Sequence, residues 1–195
     1  MNASLSILIP AAGSSSRLGE AKQLVEYTGK PLLQHIADTA LSVFPSEVII
    51  VTGADSDDIQ SAVASRQIKW VLNKEWEKGL GGSIAAGAKA IHPASAGVMV
   101  LLCDQWRIGQ SDLLGIIDAW RSEKDAIVTA RWRSQTMPPV IFPSDCFEQL
   151  QNLSGQKGAQ SVLKEQAMRV RAVPMKNATF DLDHPEQLPG LKKKP

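Results

Sequence analysis

Cysteine is nearly absent from this chain, and that absence excludes several functions. Cys103 and Cys146 are the two cysteines in 195 residues; they form no disulfide framework and have no metal-ligand spacing. Such usage suits a reducing compartment, so a cytoplasmic location is the expectation. Net charge is almost absent too. A formal charge of +1 provides no global field to attract nucleic acid or an anionic membrane, so any anion site must be local. Long apolar runs are also missing. Stretches such as "GVMVLLC" (97–103) are strand-length, far short of the ~20 residues that span a bilayer. The opening "MNASLSILIP" has no basic stretch and meets a proline early, so a signal peptide is not expected. The closing "KKKP" (192–195) reads as a solvated tail. His35, His92 and His184 stand in no pattern with a serine or cysteine nucleophile, and read as surface or capping residues.

What the chain has is alternation. Strand patterns fall at 5–10, 47–52, 68–72, 97–102, 126–130, 139–142 and 169–173. Helical patterns separate them, at 31–43, 55–65, 80–91, 110–121, 144–150 and 158–166. "VIIV" and "VMVLL" are apolar on consecutive residues, as in strands covered on both faces. There is no internal repeat and no low-complexity linker. The expectation is a single α/β domain over 1–195, with a mostly parallel sheet between two helical layers. Trp120 and Trp70 read as core residues of that domain.

In open sheets of this kind ligands bind at the carboxyl ends of the strands. That rule puts "AAGSSSRLGEAK" (11–22), which follows the first strand, on one rim with "CDQW" (103–106). The loop is neither of two familiar phosphate binders. Five residues separate Gly13 from Gly19, and Glu20 stands where a Walker A loop needs lysine. The dinucleotide pattern Gly-x-Gly-x-x-Gly is also missing. What remains is a small step at Ala11, Ala12 and Gly13, where a base or ribose can approach the backbone. Ser14, Ser15 and Ser16 then offer donors, and Arg17 and Lys22 can bracket a polyphosphate. On composition alone, a tight strand-to-helix turn with ordinary surface cations is the competing reading.

The spacing goes further than composition. "IPAAGSSSRLGEAKQLVEYTGKPLLQHIADTAL" (9–41) resembles the signature of the nucleotidyltransferases that act on molybdopterin. These are the molybdenum-cofactor cytidylyltransferase family and its guanylyltransferase relatives. Ala11, Ala12, Gly13, Ser15, Arg17, Gly19 and Lys22 match, as do Gly29, Lys30, Pro31, Leu32 and Leu33. The resemblance continues through "NKEWEKGLGGSIAAGAKAI" (73–91), "VMVLLCDQW" (98–106), "PPVIFPSDCFEQLQNLSGQKGAQSVL" (138–163) and "FDLDHPEQL" (180–188).

It implies a Rossmann-like nucleotidyltransferase fold of the glycosyltransferase-A type. It also implies Mg2+-dependent transfer of a nucleotidyl group from CTP or GTP to a phosphate on the acceptor, with release of pyrophosphate. Arg17, Lys22 and Asp104 are the implied catalytic residues. Asp104 read by itself is either a turn cap or a ligand; the resemblance implies a metal ligand, with Asp183 as a second carboxylate. Pro10, Ala11, Ala12, Gly13, Ser14, Ser15, Ser16, Arg17, Lys22, Thr52, Gly53, Asn73, Gly81, Gly82 and Ser83 are the expected nucleotide-binding residues. Ala-Ala-Gly rather than Ala-Gly-Gly favours CTP over GTP. A molybdenum hydroxylase or its chaperone is an implied transient partner.

The acceptor half departs from the family. Cys103, Trp106, Met137, Gln156, Gln160 and His184 stand where other residues are usual. In that half, Trp106 with Arg107, and Arg131, Trp132 and Arg133, combine flat rings with guanidinium groups suited to a pterin phosphate. Two other readings remain open at this point. One is a cytidylyltransferase of isoprenoid or sugar phosphates, and the other is a non-catalytic cofactor-binding chaperone.

Overall fold

Strand β1 (Leu5–Pro10) is buried at every position, front and back, and the sheet grows outward from it. The computed structural model describes residues 4–15 and 18–187. Ser16, Arg17 and the "KKKP" tail, for which the sequence raises expectations, lie outside the described residues. In chain order the elements are β1, β2 (Glu26–Tyr27), β3 (Lys30–Pro31), α1 (Leu32–Leu41), β4 (Glu47–Thr52), α2 (Ser56–Ala62), β5 (Ile68–Leu72) and α3 (Leu80–Ala88). Then come β6 (Gly97–Val100), α4 (Gln110–Ser122), β7 (Ile127–Trp132), β8 (Gln135–Pro143), α5 (Phe147–Gln151), α6 (Gln160–Glu165) and β9 (Val170–Pro174). Seven strands form one sheet in the order β5-β4-β1-β6-β8-β7-β9. The β1–β4, β1–β6, β4–β5 and β7–β9 pairs are parallel, and β8 alone runs against its neighbours. This is the expected Rossmann-like α/β fold with a mostly parallel sheet.

Alternation of side chains along each strand divides the core in two. Ile7, Ile9, Val48, Ile50 and Met99 face α1 and α4, meeting Leu33, Ile36, Leu113, Ile116 and Trp120. Leu8, Ile49, Val51, Val98 and Val100 face the opposite layer, meeting Ile84 and Ala88 of α3, Leu150 of α5 and Val162 of α6. Trp120 is wholly buried and donates its Nε1–H to the Lys124 carbonyl at 3.0 Å; truncating such a core aromatic to alanine costs about 3–5 kcal/mol. Trp70 is only half-buried, because β5 is an edge strand, but it packs against the first core.

The main departures from the expected strand bounds are the end of β6 and the β7–β8 hairpin, and proline bears on both. The strand pattern at 97–102 ends at Val100, which pairs with Val140. The next residue on β8 is Pro139, which has no N–H to extend the ladder. β8 itself begins at Gln135, and β7 continues to Trp132, so residues 131–135 form a hairpin rather than a loop. Arg133 takes a left-handed φ of 53° at that turn, and the ladder shifts register between Thr129 and Ala130. The Pro138–Pro139 pair had masked this outer part of the strand. Among the described residues no helix is long and apolar enough to cross a membrane.

Candidate functional site

Parallel pairing brings the carboxyl ends of β1, β4 and β6 to one rim, and the loop after β1 is fastened there. Ala11 N–H donates to the Val51 carbonyl at 2.8 Å, and Ala54 N–H donates to the Ala12 carbonyl at 3.0 Å. The chain then turns back. Ser15 adopts a left-handed φ of 53°, and its Oγ accepts the Lys22 N–H at 3.1 Å. Behind the loop sits Gln23, buried, whose side-chain amide donates to the carbonyls of Ala11 (2.7 Å) and Gly13 (2.9 Å).

In front of the loop lies a cleft of about 480 Å³. Pro10 to Ser15, Lys22 and Gln23 form one side of it, and Trp76, Glu77, Gly79, Leu80 and Ser83 line it as well. Cys103, Asp104, Leu182 and Asp183 carry its acidic end, and Gln156 reaches in from the loop before α6.

The acidic end is organised around one ammonium group. Lys22 Nζ donates to Asp104 Oδ2 at 2.5 Å and lies 3.6 Å from Asp183 Oδ1. Asp183 is brought there by the backbone, since Leu182 N–H donates to the Asp104 carbonyl at 3.1 Å. Burial works against the charged form of Lys22, but Asp104, with help from Asp183, outweighs it and holds the ammonium above the ordinary lysine range. Partial loss of water, then repulsion from Asp183 and Asp104, raises Asp181 above the usual carboxylate range. Burial, followed by the field of Asp104, pushes the Cys103 thiol up to about 12, so it is a neutral wall group rather than a nucleophile.

The residues fit a hard divalent cation. Asp104 Oδ1 is buried without a hydrogen-bond partner, an expensive arrangement for a carboxylate oxygen unless a ligand completes it. No group of three His, Cys, Asp or Glu side chains is arranged to hold a metal among the described residues. Hard divalent cations can be held by one or two carboxylates, with water and substrate phosphates completing the shell.

Apart from Ser16 and Arg17, the expected nucleotide residues divide into two sets. Pro10, Ala11, Ala12, Gly13, Ser14, Ser15, Lys22 and Ser83 line the cleft, together with Asp104 and Asp183. Thr52, Gly53, Asn73, Gly81 and Gly82 are not in the lining, and contacts connect several of them to residues that are. Asn73 Nδ2 donates to Ser83 Oγ at 3.1 Å, and its N–H donates to the Thr52 carbonyl at 2.8 Å. A Cβ on Gly53 would lie 2.6 Å from the Trp76 side chain, so glycine there allows the indole to sit against the cleft. A Cβ on Gly81 would lie 2.5 Å from the Ser154 carbonyl oxygen; this close approach, with Gly81 N–H donating to Gly155 at 2.8 Å, positions Gln156. Gly82 is near Asn73, 3.9 Å from its Nδ2 by the same measure.

Trp106, Arg107, Arg131, Trp132 and Arg133 are not in the cleft lining. Trp106 meets Tyr27 and Phe180 edge-on, with centroids 5.4 and 6.0 Å away, and the Arg107 guanidinium lies over both Trp106 and Phe180. Trp132, in the β7–β8 hairpin, has Lys176 Nζ 5.9 Å from its ring centre. Gln23, Trp76 and Leu182 line the cleft without having been singled out from sequence. Gln156 had been noticed only as a departure from the family. A polar residue between Lys22 and the apolar pair Leu24 and Val25 was the available signal for Gln23.

Comparison with known proteins shows the family and the fold. The family model described as the MobA-like NTP transferase domain matches residues 7–170. The chain is 28% identical over 181 residues to the purine catabolism protein PucB of Bacillus subtilis, covering 89% of this chain and 87% of that protein. It is 32% identical over 127 residues to the bifunctional protein GlmU of Burkholderia orbicola, covering 64% of this chain but only 28% of that protein. The crystal structure of Rv0371c from Mycobacterium tuberculosis superposes with a TM-score of 0.87 at 25% identity, over 98% of both chains. A manganese complex of that protein has a TM-score of 0.76 at 23% identity, over 88% of both chains. The CMP:2-keto-3-deoxy-manno-octonic acid synthetase complexed with CTP has a TM-score of 0.74 at 17% identity, over 96% of both chains, and shares the fold. The chain belongs to the MobA-like NTP transferase domain family.

Proposed function

We propose that this NTP transferase domain moves CMP from CTP to the phosphate of a molybdopterin-type cofactor, with Mg2+, and releases pyrophosphate. One observation carries the reading: Lys22 lies between the carboxylates of Asp104 and Asp183 in a cleft whose other side is the donor-rich Ala11–Ser15 loop. That juxtaposition suits an anionic polyphosphate brought in with a cation. In the step, a phosphate oxygen of the acceptor bonds to the α-phosphorus, the bond from that phosphorus to the β-bridging oxygen breaks, and pyrophosphate leaves.

Such a transfer depends on alignment and charge neutralisation more than on covalent help from the protein. Asp104 and Asp183 would hold Mg2+, which supplies charge neutralisation at the phosphates. Lys22 exchanges its carboxylates for the β- and γ-phosphates and stabilises the leaving pyrophosphate. Arg17 is assigned the same work from its place in the sequence motif. Ala12 and Gly13 admit the base and ribose, and a Cβ built on Gly13 would meet nothing within 4 Å, which leaves room for a ligand. The Ala11-Ala12-Gly13 order supports CTP over GTP. Trp106 and Arg107, with Arg131, Trp132 and Arg133 on the β7–β8 hairpin, are assigned to the acceptor side. The CTP complex of the synthetase of the same fold, and the manganese complex of Rv0371c, support the nucleotide and divalent-cation parts of the reading.

The test is pyrophosphate release by the purified protein with CTP or GTP, Mg2+ and a panel of acceptors: molybdopterin, an isoprenoid-pathway polyol phosphate and a sugar phosphate. The reading expects release with CTP and molybdopterin. Release with another acceptor instead would reassign the substrate, and nucleotide binding without turnover on any acceptor would favour a cofactor chaperone.

A further inference from the structure

The carbonyls of Ala11, Ala12 and Gly13 all have acceptor duties inside the protein. Gln23 Nε2 takes those of Ala11 and Gly13, at 2.7 and 2.9 Å, and Ala54 N–H takes that of Ala12 at 3.0 Å. The amide hydrogens are arranged otherwise. Ala11 N–H is used by Val51, whereas those of Ala12, Gly13 and Ser14 have no protein acceptor among the described residues. The loop is therefore polarised, with its oxygens held by the protein and its donors unclaimed beside the cleft. Successive unclaimed backbone donors of this kind make an anion-binding concavity.

Two of those three carbonyls depend on one side chain. Gln23 is only 1% exposed, and its Oε1 accepts from Ser15 Oγ at 3.5 Å. Both ends of its amide are thus committed to the loop. Its neighbour Lys22 faces the acidic end of the cleft, so consecutive residues of one short turn (Lys22–Leu24) brace the loop and supply its cation.

We propose that Gln23 is a positioning residue for nucleotide binding: it turns the carbonyls of Ala11 and Gly13 away from the cleft so that the loop meets the polyphosphate with donors alone. The proposal rests on the nucleotide reading above. A side chain of similar length without donors, as in Gln23→Met, frees two carbonyls to rotate toward the anion. Turning two unheld carbonyls back from the anion on binding costs about what two ordinary hydrogen bonds supply, which predicts an affinity reduced by roughly tenfold or more.

The experiment is calorimetric titration of wild type and Gln23→Met with CTP, GTP and inorganic pyrophosphate, each with Mg2+, alongside melting temperatures and acceptor KM. The expected result is a folded variant that binds both CTP and pyrophosphate roughly tenfold or more weakly, with acceptor KM unchanged. Equal affinity in variant and wild type overturns the proposal and leaves the nucleotide reading intact. A wild type that binds pyrophosphate but neither nucleotide overturns that reading, and the pyrophosphate arm still judges Gln23. A wild type that binds none of the three overturns both.

Should the variant fail to fold, wild-type amide spectra decide the question. The proposal expects the Ala12, Gly13 and Ser14 amide signals to move on adding pyrophosphate, while the Gln23 side-chain hydrogens stay protected from exchange. Unmoved loop amides, or a freely exchanging Gln23 amide, overturn it.

Discussion

Lys22 Nζ and Asp104 Oδ2 lie 2.5 Å apart, although 82 residues separate them in the chain. The ammonium occupies the side of Asp104 that faces Asp183, 3.6 Å from that second carboxylate. A positive charge belonging to the protein thus stands between the two groups proposed to hold the metal. Under the proposed function, binding of metal and nucleotide requires an exchange, in which Lys22 leaves the carboxylates for the terminal phosphates.

Replacing the lysine separates the two halves of that exchange. Lys22→Ala is expected to weaken CTP binding far more than CMP binding, because a charge-assisted contact of about 1.5–3 kcal/mol goes with the terminal phosphates. The same variant leaves Asp104 and Asp183 without their cation, so Mn2+ should bind it more tightly than wild type when no nucleotide is present. Calorimetry with CTP and CMP measures the first effect, and Mn2+ paramagnetic resonance the second. Equal losses for CTP and CMP would remove Lys22 from the terminal phosphates.

Asp104→Asn keeps the side chain's size and one acceptor oxygen, so the fold is expected to survive with a lower melting temperature. Turnover should fall by several kcal/mol of transition-state stabilisation, roughly a thousandfold, as for loss of a metal-positioning group. Pyrophosphate release from variant protein with a native circular-dichroism spectrum checks this. Release near the wild-type rate would end the metal assignment.

Acidity at the same end gives a pH prediction. The folded-state pKa of Asp181 is raised, first by partial loss of water and then by Asp183 and Asp104. The native state therefore binds more protons than the unfolded state above the ordinary carboxylate value of about 3.9. Its contribution to stability is present below that value and is lost as pH rises through the raised one. Asp181→Asn should remove this loss, and its melting temperature should gain on wild type across that interval. A saturating divalent cation should shrink the difference by neutralising the neighbouring carboxylates. Parallel melting curves for the two proteins at every pH would contradict the coupling.

On the proposed acceptor side, the Arg107 guanidinium lies 4.6 Å from the Trp106 ring centre. Trp106→Ala is expected to raise acceptor KM by roughly tenfold or more, by analogy with base–aromatic stacking losses of about 1–3 kcal/mol. Affinity for CTP should not change. Trp132→Ala on the β7–β8 hairpin tests the second aromatic in the same way. Unchanged acceptor KM in both variants would leave the two tryptophans with packing alone.

Much of the fold was legible because apolar runs mark strands covered on both faces, and β1, β4 and β5 have the bounds their pattern suggests. The β7–β8 hairpin was not, since Pro138 and Pro139 look like a strand's end, whereas β8 carries both of them within its length. The loop after β1 and Asp104 could be placed on one rim from the rule for open parallel sheets. The Lys22–Asp104 pair could not be read in the same way, because direct contact depends on where two distant turns point their side chains. Gln23 was missed for a related reason: its role is to satisfy backbone carbonyls, and the one-letter sequence does not record where those carbonyls face. Asn73 and Gly53 were expected among the nucleotide-binding residues rather than beside Ser83 and Trp76, whose positions the sequence does not record.

The central claim is transfer of the α-phosphoryl nucleotide, and isotope position tests it most directly. Wild-type protein would be incubated with Mg2+, molybdopterin and CTP labelled at either the α- or the γ-phosphorus, and the products separated. The account predicts that α-label appears in the cofactor while γ-label leaves as pyrophosphate, in equal amounts. Label passing from the γ-position to the acceptor, or release of γ-label as single inorganic phosphate, would contradict it.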